Sequence, residues 1–237
     1  MDKNIWLDCK NYLGLSKTAE SVNNKFMDPF DFAKTYREFT YEKKEEDSFI
    51  RHVIINNNIF AFQERPMLFE QIILYIANNL SVETNDVKLI GSAKTGFSIS
   101  SDNYGNHFVD SDLDFTVIND QLFNTLKDEF LNLRYEYEKG TVSMTPQNLK
   151  YWKDSLPIIP KNINRGFIDP NKIPYIPLSP TAIHIEEVLW PIKDHLKKIH
   201  SLNIRKSSIR VYRDFSSFVG QLKLNTKYVI NSVSKQK

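Results

Sequence analysis

The stretch Leu89-Ile-Gly-Ser-Ala-Lys-Thr-Gly-Phe-Ser98, followed by Val109-Asp-Ser-Asp-Leu-Asp-Phe-Thr-Val-Ile118, decides how this chain is read. Val87 to Ile90 reads as a short apolar strand that ends in Gly91-Ser92, where the chain turns sharply into a helix. Glycine lets an anion approach the backbone closely. Amides at a helix N-terminus, with the Ser92 hydroxyl, suit a phosphate, and Lys94 lies near enough to add charge. This is not the Gly-x-x-x-x-Gly-Lys-Ser/Thr phosphate loop, because no Gly-Lys-Ser/Thr triplet occurs. In the second half, Asp112 and Asp114 open an apolar strand one residue apart. Period-two geometry turns both carboxylates to one face and Leu113 to the other. Two carboxylates roughly 6 to 7 Å apart along a strand repel each other. A hard, oxygen-seeking cation such as Mg²⁺, or Mn²⁺ in its place, relieves that conflict, and a triphosphate brings it further oxygen ligands. Asp110 shares the alternation, either behind the pair or on a solvated edge.

Working outward, Phe69, Ile72, Ile73, Ile76 and Leu80 recur at helical spacing and predict a helix over 66–80 opened by Pro66. Phe115 to Ile118 is a second strand. Asn119-Asp120 ends it with N-cap chemistry for a helix carrying Leu122, Phe123, Leu126, Phe130 and Leu133. Six of the ten prolines fall between Pro157 and Pro180 and mark off a C-terminal part. There Ser179-Pro180 opens a helix with Val188, Leu189, Ile192, Leu196 and Ile199 on one stripe and a kink expected at Pro191. Ile209 to Tyr212 reads as a strand, and Phe215 starts a final helix. Upstream, helical periodicity over 18–39 breaks at Asp28-Pro29, and Phe49 to Phe62 admits either a strand or an irregular path. The pattern is α+β, a small mixed sheet flanked by helices. It divides the chain into a helical or irregular extension (1–65), a core (66–178) and a C-terminal helical part packed on that core (179–237).

Composition excludes more than it selects. A chain of 237 residues is long enough for one well-packed domain. Thirty-one Lys+Arg against 29 Asp+Glu give a net charge of +2, too balanced for nucleic-acid binding by bulk electrostatics. One cysteine, Cys9, excludes a disulfide framework and reads as a small buried apolar residue. No cationic-then-apolar leader opens the sequence, and the apolar run Met67 to Leu80 is too short for a bilayer and carries Glu70 and Gln71. A cytoplasmic protein without membrane association is the expectation.

The ordered combination of apolar strand, Gly-Ser, glycine-containing turn and Asp-x-Asp strand resembles the polymerase-β-like nucleotidyltransferase superfamily over Gly91 to Ile118, with Ser101 to Phe108 as an insertion. Arg165-Gly-Phe-Ile-Asp169 with Lys172-Ile-Pro174, and Arg210-Val-Tyr-Arg-Asp214, are similar to segments in a group of bacterial nucleotidyltransferase-like proteins. The resemblance implies that 66–178 is a nucleotidyltransferase core with additional helices around it. It implies that Asp112 and Asp114 hold two Mg²⁺ ions, one activating an acceptor hydroxyl and both stabilising the departing pyrophosphate. Gly91 and Ser92, with Lys94, would grip the triphosphate of an NTP substrate. A third carboxylate from a neighbouring strand would complete the metal site. Asp169 is the first choice, within about 5 Å of the pair as a shared cation requires, and Asp214 is the alternative; Asp169 before Pro170 also reads as a plain turn residue.

The function so implied is Mg²⁺-dependent transfer of an NMP group from an NTP to an acceptor hydroxyl. The acceptor is open between a nucleotide, RNA, protein and a small molecule, and a role in antiviral defence or toxin systems is an analogy at superfamily level. The alternative is a catalytically inactive nucleotide-binding protein of the same fold; a helical interaction domain with chance acidic spacing is a third reading. Phe97, Tyr104 and Tyr175 are candidates to stack on a base. His107, in the turn before Asp112, is either a nucleotide contact or a solvated loop residue, while His184, His195 and His200 read as surface or capping residues, because their spacing lacks the i, i+4 pair of a zinc helix. Arg65, Arg165, Arg210 and Arg213 could meet phosphates or carboxylates.

Overall fold

The computed structural model describes residues 13, 15–23, 25–39, 43–109 and 112–234. Asp110 and Cys9 lie outside them. Four strands form one mixed sheet in the order β1-β2-β4-β3, with β1 Val87–Ile90, β2 Leu113–Ile118, β3 Phe167–Ile168 and β4 Ser207–Tyr212. β1 runs antiparallel to β2, β2 parallel to β4, and β4 antiparallel to β3. The helices in chain order are α1 Lys17–Ser21, α2 Pro29–Phe39, α3 Lys43–Phe49, α4 Pro66–Leu80, α5 Ser92–Thr95, α6 Asp120–Glu138, α7 Pro146–Ser155, α8 Ile159–Asn164, α9 Pro180–His200 and α10 Phe215–Ser234. No helix among the described residues is long and apolar enough to cross a membrane.

Local chemistry accounts for the boundaries that matter. Pro66 occupies the first turn of α4, where its missing N–H costs nothing. The Asn119 side chain accepts from the Leu122 amide and caps α6. α9 continues through Pro191 as one helix. Within the ambiguous stretch 49–62 there is no strand: Ile50–Asn56 is a π-helix, 57–59 follow an irregular path and Phe60–Phe62 is a 3₁₀ turn. Ile50, Val53, Ile54 and Ile55 are buried, which explains an apolar run matching neither the α nor the β period.

The sheet has helices on both faces. Leu89, Phe115, Val117, Ile209 and Val211 pack with α4, α6 and α9 into one core. On the opposite face Phe167 and Tyr212 join a second core built from α2, α3, the π-helix and α10. Asp114 and Ser208 lie on this second face, at the end of the sheet where the apolar cover stops. The segment 179–237, expected as a helical part packed on the core with a strand at Ile209 to Tyr212, supplies β4, an interior strand.

Candidate functional site

The antiparallel register sets Ile90 opposite Asp114, so the turn leaving β1 lies beside the acid pair. Gly91 there has φ +74° and ψ −163°, backbone that only glycine adopts comfortably. A Cβ on Gly91 would stand 2.9 Å from Asp114 Oδ2, so the turn and the carboxylate are in direct contact. α5 is a single turn, its Lys94 and Thr95 amides returning to the Gly91 carbonyl at 3.0 and 3.1 Å. Gly91, Ser92, Asp112 and Asp114 line one cleft of about 530 Å³, walled by Arg205 and by Thr226 of α10. The insertion folds back through a bridge between Phe97 and His107, which brings Asn103, Asn106 and His107 to the cleft rim.

The two carboxylates have different surroundings. Arg205 grips Asp112 through both arms, Nε to Oδ1 at 2.9 Å and Nη2 to Oδ2 at 3.1 Å. Asp114 is half-buried, and its Oδ1 accepts from the Ser208 hydroxyl at 2.7 Å. Burial raises the Asp114 pKa above the ordinary carboxylate value; the Ser208 hydrogen bond opposes the rise, while the charge of Asp112 adds to it. Arg210 and Lys206 pull the other way from further off.

Three expected residues lie elsewhere. Lys94 does not reach the acid pair: its ammonium donates to the Asn57 carbonyl and lines a different cleft. Asp169 follows β3 on the far side of β4, two strand spacings of about 5 Å each from β2. Its Oδ1 accepts from Arg210 Nε at 2.6 Å and its Oδ2 from Asn162 at 3.2 Å. It is therefore the counterion of Arg210, not the neighbour of Asp112 and Asp114. Asp214 accepts from the Ser217 amide at 2.7 Å and from Arg213, capping the first turn of α10. The position on β4 that faces Asp114 is Ser208.

None of the expected base-stacking residues lines the cleft. Phe97 is buried against Phe32, the Tyr104 hydroxyl donates to the Pro29 carbonyl at 2.6 Å, and that of Tyr175 to Glu186 at 3.1 Å. His184 meets the Asn79 carbonyl, and Arg65 the His200 carbonyl. Sequence reasoning missed Arg205 and Ser208. Their signal was present: a basic pair, Arg205-Lys206, opens a strand, and the Leu113 amide donates to the Lys206 carbonyl, which sets this pair beside Asp112.

Two carboxylates and a hydroxyl are hard oxygen donors that suit Mg²⁺, which takes one or two carboxylates and fills its octahedron with water and phosphate oxygens. Among the described residues no group of three or more His, Cys, Asp or Glu side chains is gathered to share one ion. Comparison with protein-family models, with curated proteins and with solved structures finds no match to this chain.

Proposed function

We propose that the Gly91–Asp114 cleft binds a Mg²⁺-bearing nucleoside triphosphate and transfers its nucleotidyl group to an acceptor hydroxyl, in the manner of the polymerase-β-like nucleotidyltransferases. The observation that carries this reading is the contact of the Gly91 turn with Asp114. A phosphate-sized anion at Ser92 and a cation on the acid pair would then be neighbours, which is what an NTP with its metal requires. Asp112 and Asp114 would hold the ion, which when bound supplies charge neutralisation at the reacting phosphate. Ser92 offers a hydroxyl to the phosphates. Arg205, already on Asp112, can turn its guanidinium to the same phosphates once a cation takes the carboxylate. The acceptor class, whether nucleotide, RNA or protein, is left open by the cleft.

A second reading has its own observation. Ser208 stands on the strand adjacent to Asp114, and Asp169 is held by Arg210, so a nucleotide-binding protein without turnover fits the same cleft. Incubating the purified protein with each labelled NTP, Mg²⁺ or Mn²⁺, and total cell RNA separates the two. Pyrophosphate release that disappears in Asp112→Asn and in Asp114→Asn supports transfer. Thermal stabilisation by Mg²⁺–NTP without pyrophosphate, lost in the same variants, supports binding alone. Wild-type turnover in either variant refutes both assignments.

A further inference from the structure

A second cleft, of about 560 Å³, shares no lining residue with the first. It lies between the edge strand β1, helix α4 and the chain leaving the π-helix at Asn56 to Ile59. We propose that it is a separate ligand site for a small molecule that presents a phosphate or carboxylate to Lys94 and an apolar body to Phe62, Phe69 and Ile73.

Lys94 is the reason. Its side chain is only 4% exposed, yet among the described residues no carboxylate pairs with it. The ammonium has three N–H donors, and among the described residues one is used, on the Asn57 carbonyl. The charge that acts on it is Lys88, which has the same sign and lines the same cleft. Burial and this neighbour push the amine down to about 8. Among the described residues, Glu70, exposed on α4, is the only acid lining the cleft, and it makes no ion pair with Lys94. Formal charge there is +1, from Lys88, Lys94 and Glu70. A buried cation whose acceptor is a neutral carbonyl and not a counter-ion is costly, and an anion in the cleft lowers that cost by supplying the opposite charge.

A purely structural role is the competing account, in which Lys94 ties α5 to the end of the π-helix. That role needs one donor and leaves the cleft without use. The volume falls within the range of small-molecule sites, and buried Phe62, Phe69 and Ile73 give it the apolar wall such sites have. The proposal is independent of nucleotidyl transfer, since Lys94 does not touch the acid pair.

The test follows melting temperature with inorganic phosphate, hexyl phosphate and hexanoate, in the wild type, in Lys94→Met and in Asp114→Asn. An anion at tenfold its Kd raises the wild-type melting temperature by about 3–6 °C. The rise persists in Asp114→Asn and disappears in Lys94→Met. Response to the two phosphates alone assigns the phosphate class, and response to hexanoate alone the carboxylate class. Should Lys94→Met fail to fold, acetylation of Lys94 by acetic anhydride at pH 8, mapped by mass spectrometry in the wild type, decides: the effective anion slows it. An equal rise in wild type and Lys94→Met overturns the proposal, as does the absence of both shift and protection with all three anions.

Discussion

Replacing Gly91 by alanine tests the contact on which the site rests. The backbone at φ +74° and ψ −163° lies in a region that side-chain-bearing residues occupy at about 1–3 kcal/mol. The new Cβ meets Asp114 Oδ2 at 2.9 Å, and that carboxylate is fixed by the 2.7 Å bond from Ser208. Asp114 must therefore move, loosening a hydrogen bond to a charged group that contributes about 1.5–3 kcal/mol when intact. Strain near 2 kcal/mol lowers the melting temperature of a chain this size by about 4–8 °C, and the clash adds to it. Calorimetric melts of Gly91→Ala in wild-type and Asp114→Ala backgrounds separate the two parts, because strain survives in both and the clash only in the first. The substitution should cost at least about 0.5 kcal/mol more in the wild-type background. Gly91→Ala should also lose stabilisation by Mg²⁺–NTP. Equal costs in the two backgrounds, or a fall below about 2 °C, would show that the turn does not press on Asp114.

With metal chelated, the raised Asp114 pKa means that the folded chain holds this proton more tightly than the unfolded chain. The associated stability is complete below the unfolded value of about 4 and is lost as pH rises through the folded value. Asp114→Asn should melt above wild type at pH 7 with the gap closing toward pH 4, and a gap independent of pH refutes the desolvation account. Arg205→Ala removes the guanidinium that competes for Asp112, so titration calorimetry should find Mg²⁺ binding without nucleotide a few-fold tighter, and weaker binding would contradict the competition. Tyr36→Phe deletes a buried hydroxyl that donates to Glu46 at 2.5 Å, and urea unfolding should show a loss of about 1.5–3 kcal/mol at unchanged m, against under 0.5 if the bond is idle.

The elements that the sequence disclosed are those decided by local chemistry. Pro66 to Leu80 and Val87 to Ile90 are found with the expected bounds, since period, proline and glycine act within one turn. Asn119 caps its helix for the same reason. The run from Phe49 to Phe62 resisted because a π-helix repeats with neither standard period. Strand order resisted more deeply. That Asp169 follows a short apolar stretch was legible; that this stretch is a strand with β4 inserted between it and β2 was not, because nothing local at 167–169 or 207–212 encodes who pairs with whom. Lys94 fails by one step of the same kind: its nearness in sequence to Ser92 is real, but a single helical turn rotates its side chain toward Asn57.

Strand order also bears on the choice between transfer and binding. Across the sheet, Asp114 is flanked by Ile90 on β1 and Ser208 on β4, so a third carboxylate beside it would have to occupy one of those two positions. One holds an aliphatic group and the other a hydroxyl. Asp169, a strand further out, is neutralised by Arg210, which also lies over the Phe167 ring at 4.6 Å and is thereby fixed. Among the described residues, the charged side chains lining the cleft are Asp112, Asp114 and Arg205, a formal sum of −2 and +1, or −1. A cleft so weakly negative does not repel a triphosphate strongly, and a metal-bearing triphosphate offsets most of its own charge. Such a cleft is therefore better matched to a nucleotide that arrives with its cation than to a pair of ions held in advance. Under the transfer reading, the ligand positions that Ser208 cannot fill as a carboxylate fall to the triphosphate itself. Under the binding reading they need not be filled at all. The two accounts thus agree on affinity for Mg²⁺–NTP and part only at pyrophosphate release.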